Sequence, residues 1–460
     1  MTVRASEEDH IVALATAPGK SAIALIRLSG PNPRRLLKGV FLPANEEGLF
    51  PRRPTLGRIV GESGEVLDQV LATWFPAPAS YTGENVIEVT CHGSLLIVQR
   101  IIHRLVGQGA RMAEPGEFTK RAFLGGKLDL VQAEAVRDLI ESQTAFQIRL
   151  AVEQLGGRLS KRLEPVRVGL VQILSHMETS LEFVEDEVTP EEKEPLLERL
   201  REITRDLEKL ADGFELGRLV RAGIEVAITG SPNAGKSSIF NGLLRTNRAL
   251  VTAVPGTTRD AISETISIEG LPARLVDTAG IREARDEVEE LGIEKTKEYL
   301  ASADVILFVL DGNAEFGSGE REIWELVRER ATVLVLNKRD LPQHLHLPQE
   351  LRDSGRQTIA TSALRGEGLE ELAKAVWREV TLETGVEKDS VFLTNIRHYE
   401  AVGTAIRWLE KGISAYGDGL SEEYPVYDFR KALESLGTIT GETTVDDILD
   451  EIFSTFCIGK

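Results

Sequence analysis

An octet in the middle of the chain has the residue types and the spacing of a phosphate-binding loop. It reads Gly230-Ser231-Pro232-Asn233-Ala234-Gly235-Lys236-Ser237 and follows the pattern G-x-x-x-x-G-K-S. Glycines let backbone N–H groups turn inward around phosphate oxygens, and a helix N-terminus behind them adds positive charge. Lys236 supplies a full charge to the β- and γ-phosphates, and the Ser237 hydroxyl is placed to bind Mg²⁺. Alone, the octet also fits an ordinary glycine-rich turn.

Two further stretches supply groups that a bound triphosphate and its metal need. Asp277-Thr278-Ala279-Gly280 follows a short apolar run. The Asp277 carboxylate can hold Mg²⁺ through water, and Gly280 can offer a backbone N–H to the γ-phosphate. Between the octet and this stretch lies the segment 255–260, Pro-Gly-Thr-Thr-Arg-Asp, whose Thr258 hydroxyl can complete the Mg²⁺ coordination.

Two later stretches are suited to reading a base. In Asn337-Lys338-Arg339-Asp340, the Asp340 carboxylate can accept hydrogen bonds from the N1–H and the 2-amino group of guanine. Adenine offers neither donor, so it would leave the carboxylate without a partner at a high cost. Thr361-Ser362-Ala363-Leu364 can give a backbone N–H to the guanine oxygen. The five motifs together predict a GTP-binding module rather than an α/β domain with incidental glycines.

The elements that position these motifs are predicted strands. Apolar, β-branched runs at 224–229, 304–310 and 331–336 precede three of the motifs, and a helix-compatible run follows the octet from Lys236 to Leu244. Strands that alternate with helices favour a doubly wound α/β domain with its ligand at the carboxyl ends of the strands.

Two departures from the best-known small GTPases bear on the mechanism. Ile281 stands directly after Gly280, where those enzymes place the Gln that orients the attacking water. The acidic run 286–290 can supply a carboxylate instead, although it also reads as an ordinary helix start. Asn233 can hold a monovalent cation near the β- and γ-phosphates in place of an arginine finger, or it can be only a turn residue.

Composition limits the protein class and its partners. The chain has 460 residues, 42% of them hydrophobic, which suits about three packed domains. Its only cysteines are Cys91 and Cys457, and no apolar run resembles a leader or a membrane span. We therefore expect a cytoplasmic protein without a disulfide framework. With a net charge of −19, nucleic acid can be contacted only through a local basic patch or a basic partner.

The spacing of apolar residues changes along the chain, and these changes indicate the domain limits. Residues 1–120 alternate strand-like and helix-like runs, including strands at 11–14, 21–28 and 86–91 and a helix at 94–106. Helical spacing dominates from Lys127 to Leu219 and returns at 398–409, 428–436 and 444–456. The simplest organisation is one helical domain whose chain is interrupted by the GTP-binding domain. We place the domains at 1–120, 121–220, 221–382 and 383–460.

Motifs along the whole chain resemble the MnmE (TrmE) family of tRNA-modification GTPases. Outside the nucleotide motifs, the resemblance rests on five stretches, namely Ile11-Val12-Ala13 with Ala17-Pro18-Gly19, Tyr81-Thr82-Gly83-Glu84, Gly116-Glu117-Phe118-Thr119 running into Arg121-Ala122-Phe123-Leu124, the run Lys127 to Ala135, and the closing Phe456-Cys457-Ile458-Gly459-Lys460. It implies a multidomain α/β plus α protein. An N-terminal α+β domain similar to tetrahydrofolate-binding proteins would be joined to a helical domain that is interrupted by a Ras-like G domain.

The resemblance also implies an activity and partners. Family members form homodimers and work with the FAD-dependent partner MnmG, as an expected α2β2 complex, to modify C5 of the wobble uridine of certain tRNAs. A folate one-carbon unit is used, with 5-formyl-tetrahydrofolate as a bound analogue, and tRNA is reached through the complex. GTP hydrolysis is implied to require Mg²⁺ and to be stimulated by K⁺.

Site residues carried over by the resemblance fall into four groups. The implied catalytic residues are Lys236 and Glu289, the latter as the residue that orients water. The implied metal ligands are Ser237 and Thr258 for Mg²⁺ and Asn233, Thr252, Val254 and Thr257 for K⁺. The implied folate contacts are Arg27, Glu84, Lys127 and Lys460. The implied GTP contacts are Asn233, Ala234, Gly235, Lys236, Ser237, Ser238, Thr252, Ala253, Val254, Pro255, Gly256, Thr257, Thr258, Asp277, Thr278, Ala279, Gly280, Asn337, Lys338, Asp340, Ser362, Ala363 and Leu364.

The end of the chain is predicted to fold back rather than fray. Phe453, Phe456 and Ile458 can anchor the terminal segment in a core, and Gly459 allows a sharp turn. Lys460 would then reach a cavity shared with the N-terminal folate residues. Cys457 would lie near the one-carbon unit, although a buried thiol with only a packing role is at least an equal alternative.

A rival interpretation is a GTP-switched assembly factor for ribosomes or other RNA. Such factors share the five nucleotide motifs, but they usually carry a basic RNA-binding domain. We find neither that charge nor a suitable G-x-x-G clamp in this chain.

Overall fold

The chain folds into two compact units. The computed structural model describes residues 9–46, 48–182, 190–247, 263–277, 298–381, 393–443 and 446–460. The first unit comprises Met1–Arg137, Leu155–Ser160 and Gly437–Lys460, and the second comprises Asp138–Gln154 and Lys161–Leu436. Each unit contains one sheet and is described separately.

A seven-stranded sheet forms the first unit, with the order β3-β4-β5-β6-β2-β1-β7. Its strands are β1 (His10–Leu14), β2 (Ser21–Gly30), β3 (Phe41–Pro43), β4 (Thr55–Val60), β5 (Val66–Phe75), β6 (Asn85–Gly93) and β7 (Ala110–Met112). Neighbours are antiparallel except β1 and β7. Helices α1 (Pro33–Leu37) and α2 (Leu95–Val106) cover one face, where Val98, Ile101 and Leu105 of α2 pack on Ile26 and Ile87.

The predicted strands 11–14, 21–28 and 86–91 and the predicted helix 94–106 are confirmed as β1, β2, β6 and α2. The hairpin of β4 and β5 was not predicted. In β4, buried Gly57 and Ile59 alternate with exposed Leu56 and Arg58, because the second face of this sheet is open. Residues that face solvent need not be apolar, so the strand lacks a continuous apolar run. The sequence pattern that predicts a strand is therefore weaker here.

Helices follow without an intervening strand in the described chain from 117 to 222. They are α3 (Glu117–Leu124), α4 (Leu130–Glu141), α5 (Ala145–Leu155), α6 (Arg158–Glu182), α7 (Pro190–Asp212) and α8 (Phe214–Ala222). The predicted helical texture from Lys127 to Leu219 is thus confirmed. Helix α7 begins at Pro190, whose fixed φ and missing N–H suit a first turn.

The second unit is built on a six-stranded sheet with the order β13-β12-β11-β8-β10-β9. Its strands are β8 (Ile224–Thr229), β9 (Ser263–Ile268), β10 (Leu271–Asp277), β11 (Val305–Asp311), β12 (Thr332–Asn337) and β13 (Thr358–Ala360). All neighbours are parallel except β9 and β10. Helices α9 (Lys236–Asn247) and α12 (Leu369–Thr381) pack on one face, whereas α10 (Ser318–Val327) and α11 (Gln349–Arg352) pack on the other. This arrangement is the predicted doubly wound fold.

Three more helices end the chain, at the positions where helical spacing was predicted to return. They are α13 (Ile396–Gly417), α14 (Glu423–Thr440) and α15 (Asp446–Ser454). Helix α13 packs against α7, so helices from before and after the second sheet meet in one unit. The predicted fold class, a multidomain α/β plus α protein with an interrupted helical part, is confirmed. None of the described helices is long and apolar enough to cross a membrane.

Candidate active site

The glycine-rich octet forms a loop between β8 and α9, at the carboxyl edge of the second sheet. Gly230 has a φ of +152° and Gly235 a φ of +96°. A Cβ added at Gly230 would lie 2.2 Å from the Val309 carbonyl oxygen, and one at Gly235 would lie 2.2 Å from Nδ2 of Asn337. Any side chain at either position would collide with a neighbouring strand end, so the loop requires both glycines.

Lys236 and Ser237 open α9 and point to different partners. Lys236 is 9% exposed, and its ammonium donates to the carbonyls of Gly230 (3.0 Å) and Ser231 (2.9 Å). Its charge therefore lies inside the curve of the loop. The Ser237 hydroxyl donates to Oδ2 of Asp277 at 2.9 Å, and Asp277 is 3% exposed at the end of β10. The predicted phosphate-binding cation and the predicted magnesium ligands are thus brought together.

Asn233 adopts a left-handed backbone, with a φ of +62°. Asparagine tolerates this region better than most residues, which fits the interpretation of Asn233 as a turn residue. The same conformation does not conflict with a role in binding a cation, so both alternatives stay open.

Asn337 connects the loop to the stretch that is predicted to read the base. Its Nδ2 donates to the Ala234 carbonyl at 3.0 Å, and its Oδ1 accepts from the Ala363 backbone N–H at 3.1 Å. The buried amide therefore joins the phosphate end of the site to the 361–364 stretch. Asn337 uses its donor and its acceptor within the protein, so its role is to hold two loops in register.

Asp340 is oriented by a neighbour in the last motif. The Ser362 hydroxyl donates to its Oδ1 at 2.6 Å, and this hydrogen bond lowers the pKa of the Asp340 carboxyl below its ordinary value. A carboxylate that stays ionised is the acceptor that the two guanine donors require. Ser362 is buried, whereas the Leu364 side chain is 86% exposed.

A further acidic residue, Asp311, was not singled out from the sequence. It ends β11, and its Oδ2 accepts from the Lys338 ammonium at 2.6 Å while its Oδ1 accepts from the Asn313 N–H at 2.9 Å. Parallel pairing places Asp311 opposite Asn337, one residue before Lys338. The sequence did contain one indication of this role, because Asp311 directly follows a predicted buried strand.

Several predicted site residues lie outside the described residues. They are Thr252, Ala253, Val254, Pro255, Gly256, Thr257, Thr258, Thr278, Ala279, Gly280 and Glu289. Their roles stay predictions.

In the first unit, the predicted folate residues lie on or beside the strands. Arg27 donates from Nε and Nη2 to Oε1 of Glu88, at 3.0 and 2.9 Å, and from Nη1 to the Gly459 carbonyl at 3.4 Å. The guanidinium also lies 5.1 Å from the centre of the Tyr81 ring. Arg27 therefore contacts the end of the chain, as the predicted return of the C-terminus requires. Lys127 donates to the Pro78 carbonyl at 3.1 Å.

Glu84 belongs to a half-buried charge network that the sequence did not reveal. It accepts from Arg121 at 3.1 and 3.2 Å and from the Ser29 hydroxyl at 2.7 Å. Arg121 also contacts Asp9 and Glu117, and Arg111 bridges the same two carboxylates. Burial alone raises the pKa of Asp9 and of Glu117, but hydrogen bonds from the arginines outweigh it and lower both pKa values. Arg121 thus fixes the Glu84 carboxylate.

The C-terminal segment crosses the first unit as predicted, with one correction. Phe453 and Phe456 are buried with Leu130 and Ala133. Gly459 has a φ of +97°, and a Cβ there would lie 2.2 Å from the Leu14 carbonyl. Ile458 was predicted to anchor this segment in a core, and that prediction was wrong, because its side chain is 53% exposed. Ile458 instead pairs with Pro115 through the backbone, which needs no buried side chain.

Comparison with known proteins gives matches over nearly the whole chain. A family model described as GTP-binding protein TrmE N-terminus matches residues 10–127, and one described as MnmE helical domain matches residues 130–457. Curated relatives named tRNA modification GTPase MnmE include those of Koribacter versatilis (44% identical, covering 98% of this chain and 99% of the relative), Geobacter metallireducens (43%, 98% and 99%) and Aquifex aeolicus (41%, 98% and 100%).

Proposed function

The chain belongs to the MnmE family of tRNA modification GTPases, and on that basis we propose that it hydrolyses GTP in its second unit while modifying C5 of the wobble uridine in certain tRNAs. The observation that carries the proposal is the position of Asn337. Its side chain ties the phosphate-binding loop to the stretch beside Asp340, so one ligand with a phosphate end and a guanine end fits the sheet edge. GTP has both ends.

Each end of the nucleotide has a complementary group. The Lys236 ammonium, inside the loop, neutralises the β- and γ-phosphates, and backbone N–H groups of residues 233–238 accommodate their oxygens. The Asp340 carboxylate, oriented by Ser362, accepts the N1–H and 2-amino donors of guanine. Backbone groups of 362–364 contact the guanine oxygen. Because the loop is preformed, little rearrangement opposes the development of negative charge in the transition state.

Ser237 and Asp277 fit a magnesium ion. Their oxygens lie 2.9 Å apart at the mouth of the loop, and hydroxyl and carboxylate oxygens are the hard ligands that Mg²⁺ prefers. Ser237 would bind the ion directly, Asp277 through water, and Thr258 would complete the set. When bound, the ion neutralises charge on the phosphates.

We also propose a potassium ion beside Asn233, with Thr252, Val254 and Thr257 as its other ligands, and Glu289 as the residue that orients water. The support is the absence of a Gln after Gly280 and the presence of Asn233 in the loop. Loss of one stabilising group of this kind commonly lowers the rate about 100-fold. Faster hydrolysis in K⁺ than in Na⁺ is expected, and equal rates would remove the cation from the mechanism.

For the first unit we propose a tetrahydrofolate site formed by Arg27, Glu84, Lys127 and Lys460, which would deliver the one-carbon unit. The support is the contact of Arg27 with Gly459, next to Lys460. Further parts of the proposal are a homodimer, a complex with MnmG that reaches tRNA, a cytoplasmic location, and domain limits at 1–120, 121–220, 221–382 and 383–460.

Nucleoside analysis of tRNA from a strain that lacks the gene tests the proposal. We expect wobble uridines without the aminomethyl or carboxymethylaminomethyl group, and modification restored by a plasmid copy. Unchanged wobble uridines with altered ribosomal subunit profiles would instead favour the rival function, a GTP-switched assembly factor.

A further inference from the structure

The first unit carries five cations on two short chain segments that are tied to Trp74, and we call this group the Trp74 patch. Its members are Arg34, Arg35, Lys38, Arg52, Arg53, Phe50 and Trp74. All five cations are exposed, and none forms an ion pair with a carboxylate in the described part of the chain. Other cations of the same unit, such as Arg100, Arg111 and Lys120, are ion-paired. The patch is therefore a local concentration of unneutralised positive charge.

Contacts within the patch hold its arginines in place. The Arg34 guanidinium lies 4.4 Å from the centre of the Trp74 ring, and that of Arg53 lies 5.6 Å from the centre of Phe50. Arg52 has a φ of +57°, its backbone N–H donates to the Trp74 carbonyl at 2.7 Å, and its Nη2 donates to the Ala79 carbonyl at 2.8 Å. A left-handed arginine persists only where its surroundings hold it. Arg34, Arg52 and Arg53 are thus held in place before any partner binds.

The two chain segments of the patch are fastened to the same strand. Helix α1 buries Pro33, Leu36 and Leu37, so Arg34, Arg35 and Lys38 remain on its outer face. Asn85 donates to the Pro31 carbonyl at 2.9 Å and accepts from the Trp74 indole N–H at 3.4 Å, which ties the start of α1 to β5. Pro51 pairs with Trp74 through the backbone, which ties the segment that carries Arg52 and Arg53 to β5 as well.

The Trp74 patch is positively charged, whereas the whole chain has a net charge of −19. The acidic remainder of the surface repels a polyanion such as RNA. A polyanion can therefore bind only at a basic patch of this kind. Glu84, next to Asn85, does not cancel the local field, because Arg121 pairs with it. The Arg34 guanidinium beside the Trp74 ring adds a feature that a site for an acidic peptide does not need, because a guanidinium plane stacks on an unpaired base.

We propose that the Trp74 patch binds tRNA directly, with Arg35, Lys38 and Arg53 on phosphates and the Arg34 guanidinium against an unpaired base. The inference rests on the proposed function, because it takes tRNA as the substrate. It adds a contact surface on this chain itself, beside any contact that a partner protein makes.

Two double variants with the same charge change test the phosphate contacts. Lys38→Gln with Arg53→Gln removes two patch charges and spares the Arg34–Trp74 and Arg52–Ala79 contacts. Lys20→Gln with Arg58→Gln is the matched control, because Lys20 precedes β2 at the end opposite α1 and Arg58 is exposed on β4. Binding of a fluorescent, unmodified transcript of a tRNA with a wobble uridine is followed by anisotropy, with the full chain, at several salt concentrations.

We expect the patch variant to bind about tenfold more weakly and to lower the slope of log K against log salt by about 1.4 to 1.8, since each phosphate contact contributes about 0.7 to 0.9. The control variant should bind within about twofold of the wild type. Arg34→Lys keeps the positive charge but removes the planar guanidinium. It should weaken tRNA binding about fivefold and leave the slope of log K against log salt unchanged.

Circular dichroism and thermal unfolding of the full chain serve as the folding control for all variants. GTP turnover should also match the wild type, because the nucleotide site belongs to the second unit. Equal tRNA affinities of the two double variants, or no salt-dependent binding by the wild type, would overturn the proposal. Lost tRNA modification in cells with unchanged tRNA affinity would also overturn it and assign the patch to an acidic protein. The proposed function fails separately, if wobble uridines are normal in the deletion strain.

Discussion

Asp340 presents its carboxylate at the base end of the site with one oxygen already engaged by Ser362, at 2.6 Å. Asp340→Asn should move the nucleotide preference from GTP to xanthosine triphosphate, because an amide can donate to the 2-oxo group of xanthine and cannot accept from both guanine donors. We expect GTP affinity to fall about 100-fold, measured by competition with a fluorescent GDP analogue. A variant that still prefers GTP would exclude Asp340 from reading the base.

Asp311 positions the other side chain of the same motif. Its Oδ2 holds the Lys338 ammonium and its Oδ1 caps the turn at Asn313, so Asp311→Asn removes the charge while the turn can keep its acceptor. We expect affinity for GTP and GDP to fall together by about tenfold, because a lost charge-assisted hydrogen bond of this kind is worth about 1.5 kcal/mol.

The matched control is Asp304→Asn, just before the same strand at the opposite sheet edge, where the carboxylate accepts from the Glu225 N–H at 2.8 Å. That change should leave nucleotide affinity intact. Unchanged nucleotide affinity in Asp311→Asn would contradict the positioning role of Asp311. So would a loss of affinity in Lys338→Met that is the same with and without Asp311, because the two side chains would then act independently.

Some functional residues could be predicted from the sequence, and others could not. Lys236, Ser237 and Asp340 were predictable because a motif fixes their spacing from a strand end. Asp311 belongs to no motif, and the family stretch that contains Arg121 does not identify its partners. Lys338 lies 27 residues from Asp311 along the chain, and Glu84 lies 37 residues from Arg121. Their positioning roles depend on strand order and on helix placement, which one sequence does not specify.

At the scale of elements, the half-buried charge network links the start of β1 to α3. Arg121 is the cation shared by Asp9, Glu84 and Glu117. Arg121→Met should destabilise β1 and β2 by about 2 kcal/mol, because Glu84 loses its cation and the buried Glu117 keeps only Arg111. Native-state hydrogen exchange of the β1 and β2 amides measures this. Arg100→Met, which breaks an exposed pair with Glu65, is the control and should cost under about 1 kcal/mol.

The network also predicts a pH dependence with a defined sign. The pKa values of Asp9 and Glu117 are lower in the folded chain than their ordinary values. Their contribution is therefore fully present above about pH 5 and is lost as the pH falls through the lowered folded values. Protection of the β1 amides should drop on acidification from about pH 5 to pH 3 and should change less in Arg121→Met. An equal drop in both proteins would assign the acid sensitivity to other carboxylates.

The C-terminal segment is held by its backbone as well as by Phe453 and Phe456. Deleting Gly459 and Lys460 removes the carbonyl that Arg27 contacts and the proposed folate-binding ammonium. Calorimetry should show weaker binding of 5-formyl-tetrahydrofolate, whereas GTP affinity should be unchanged because the nucleotide site lies in the other unit. Lys460→Gln is the matched variant that keeps the Arg27 contact. Unchanged folate affinity in both would return Lys460 to a structural role.

Elements differed in how readily the sequence predicted them. Strands β8, β11 and β12 are buried between helices on both faces, so they read as continuous apolar runs and were found nearly to the residue. Strands β4 and β5 have one open face, and β3 and β7 have only three residues each, so their signal did not exceed that of loops.

At the scale of the whole molecule, GTP hydrolysis belongs to one compact unit and the proposed folate and tRNA contacts to the other. The chain enters the second unit at Asp138 and returns to the first at Gly437, with one short passage back at Leu155–Ser160. If the family activity is carried out as proposed, a change confined to the nucleotide site must abolish a modification whose chemistry takes place in the other unit.

The decisive measurement is therefore nucleoside analysis of tRNA from the deletion strain carrying Lys236→Ala on a plasmid, beside wild-type and Lys20→Gln plasmids. Lys236 provides the only described ammonium inside the phosphate-binding loop, so its loss should abolish hydrolysis. We expect unmodified wobble uridines with Lys236→Ala and full modification with the other two plasmids. Fully modified tRNA in cells that contain normal amounts of a hydrolysis-inactive Lys236→Ala protein would contradict the proposed coupling of GTP hydrolysis to tRNA modification.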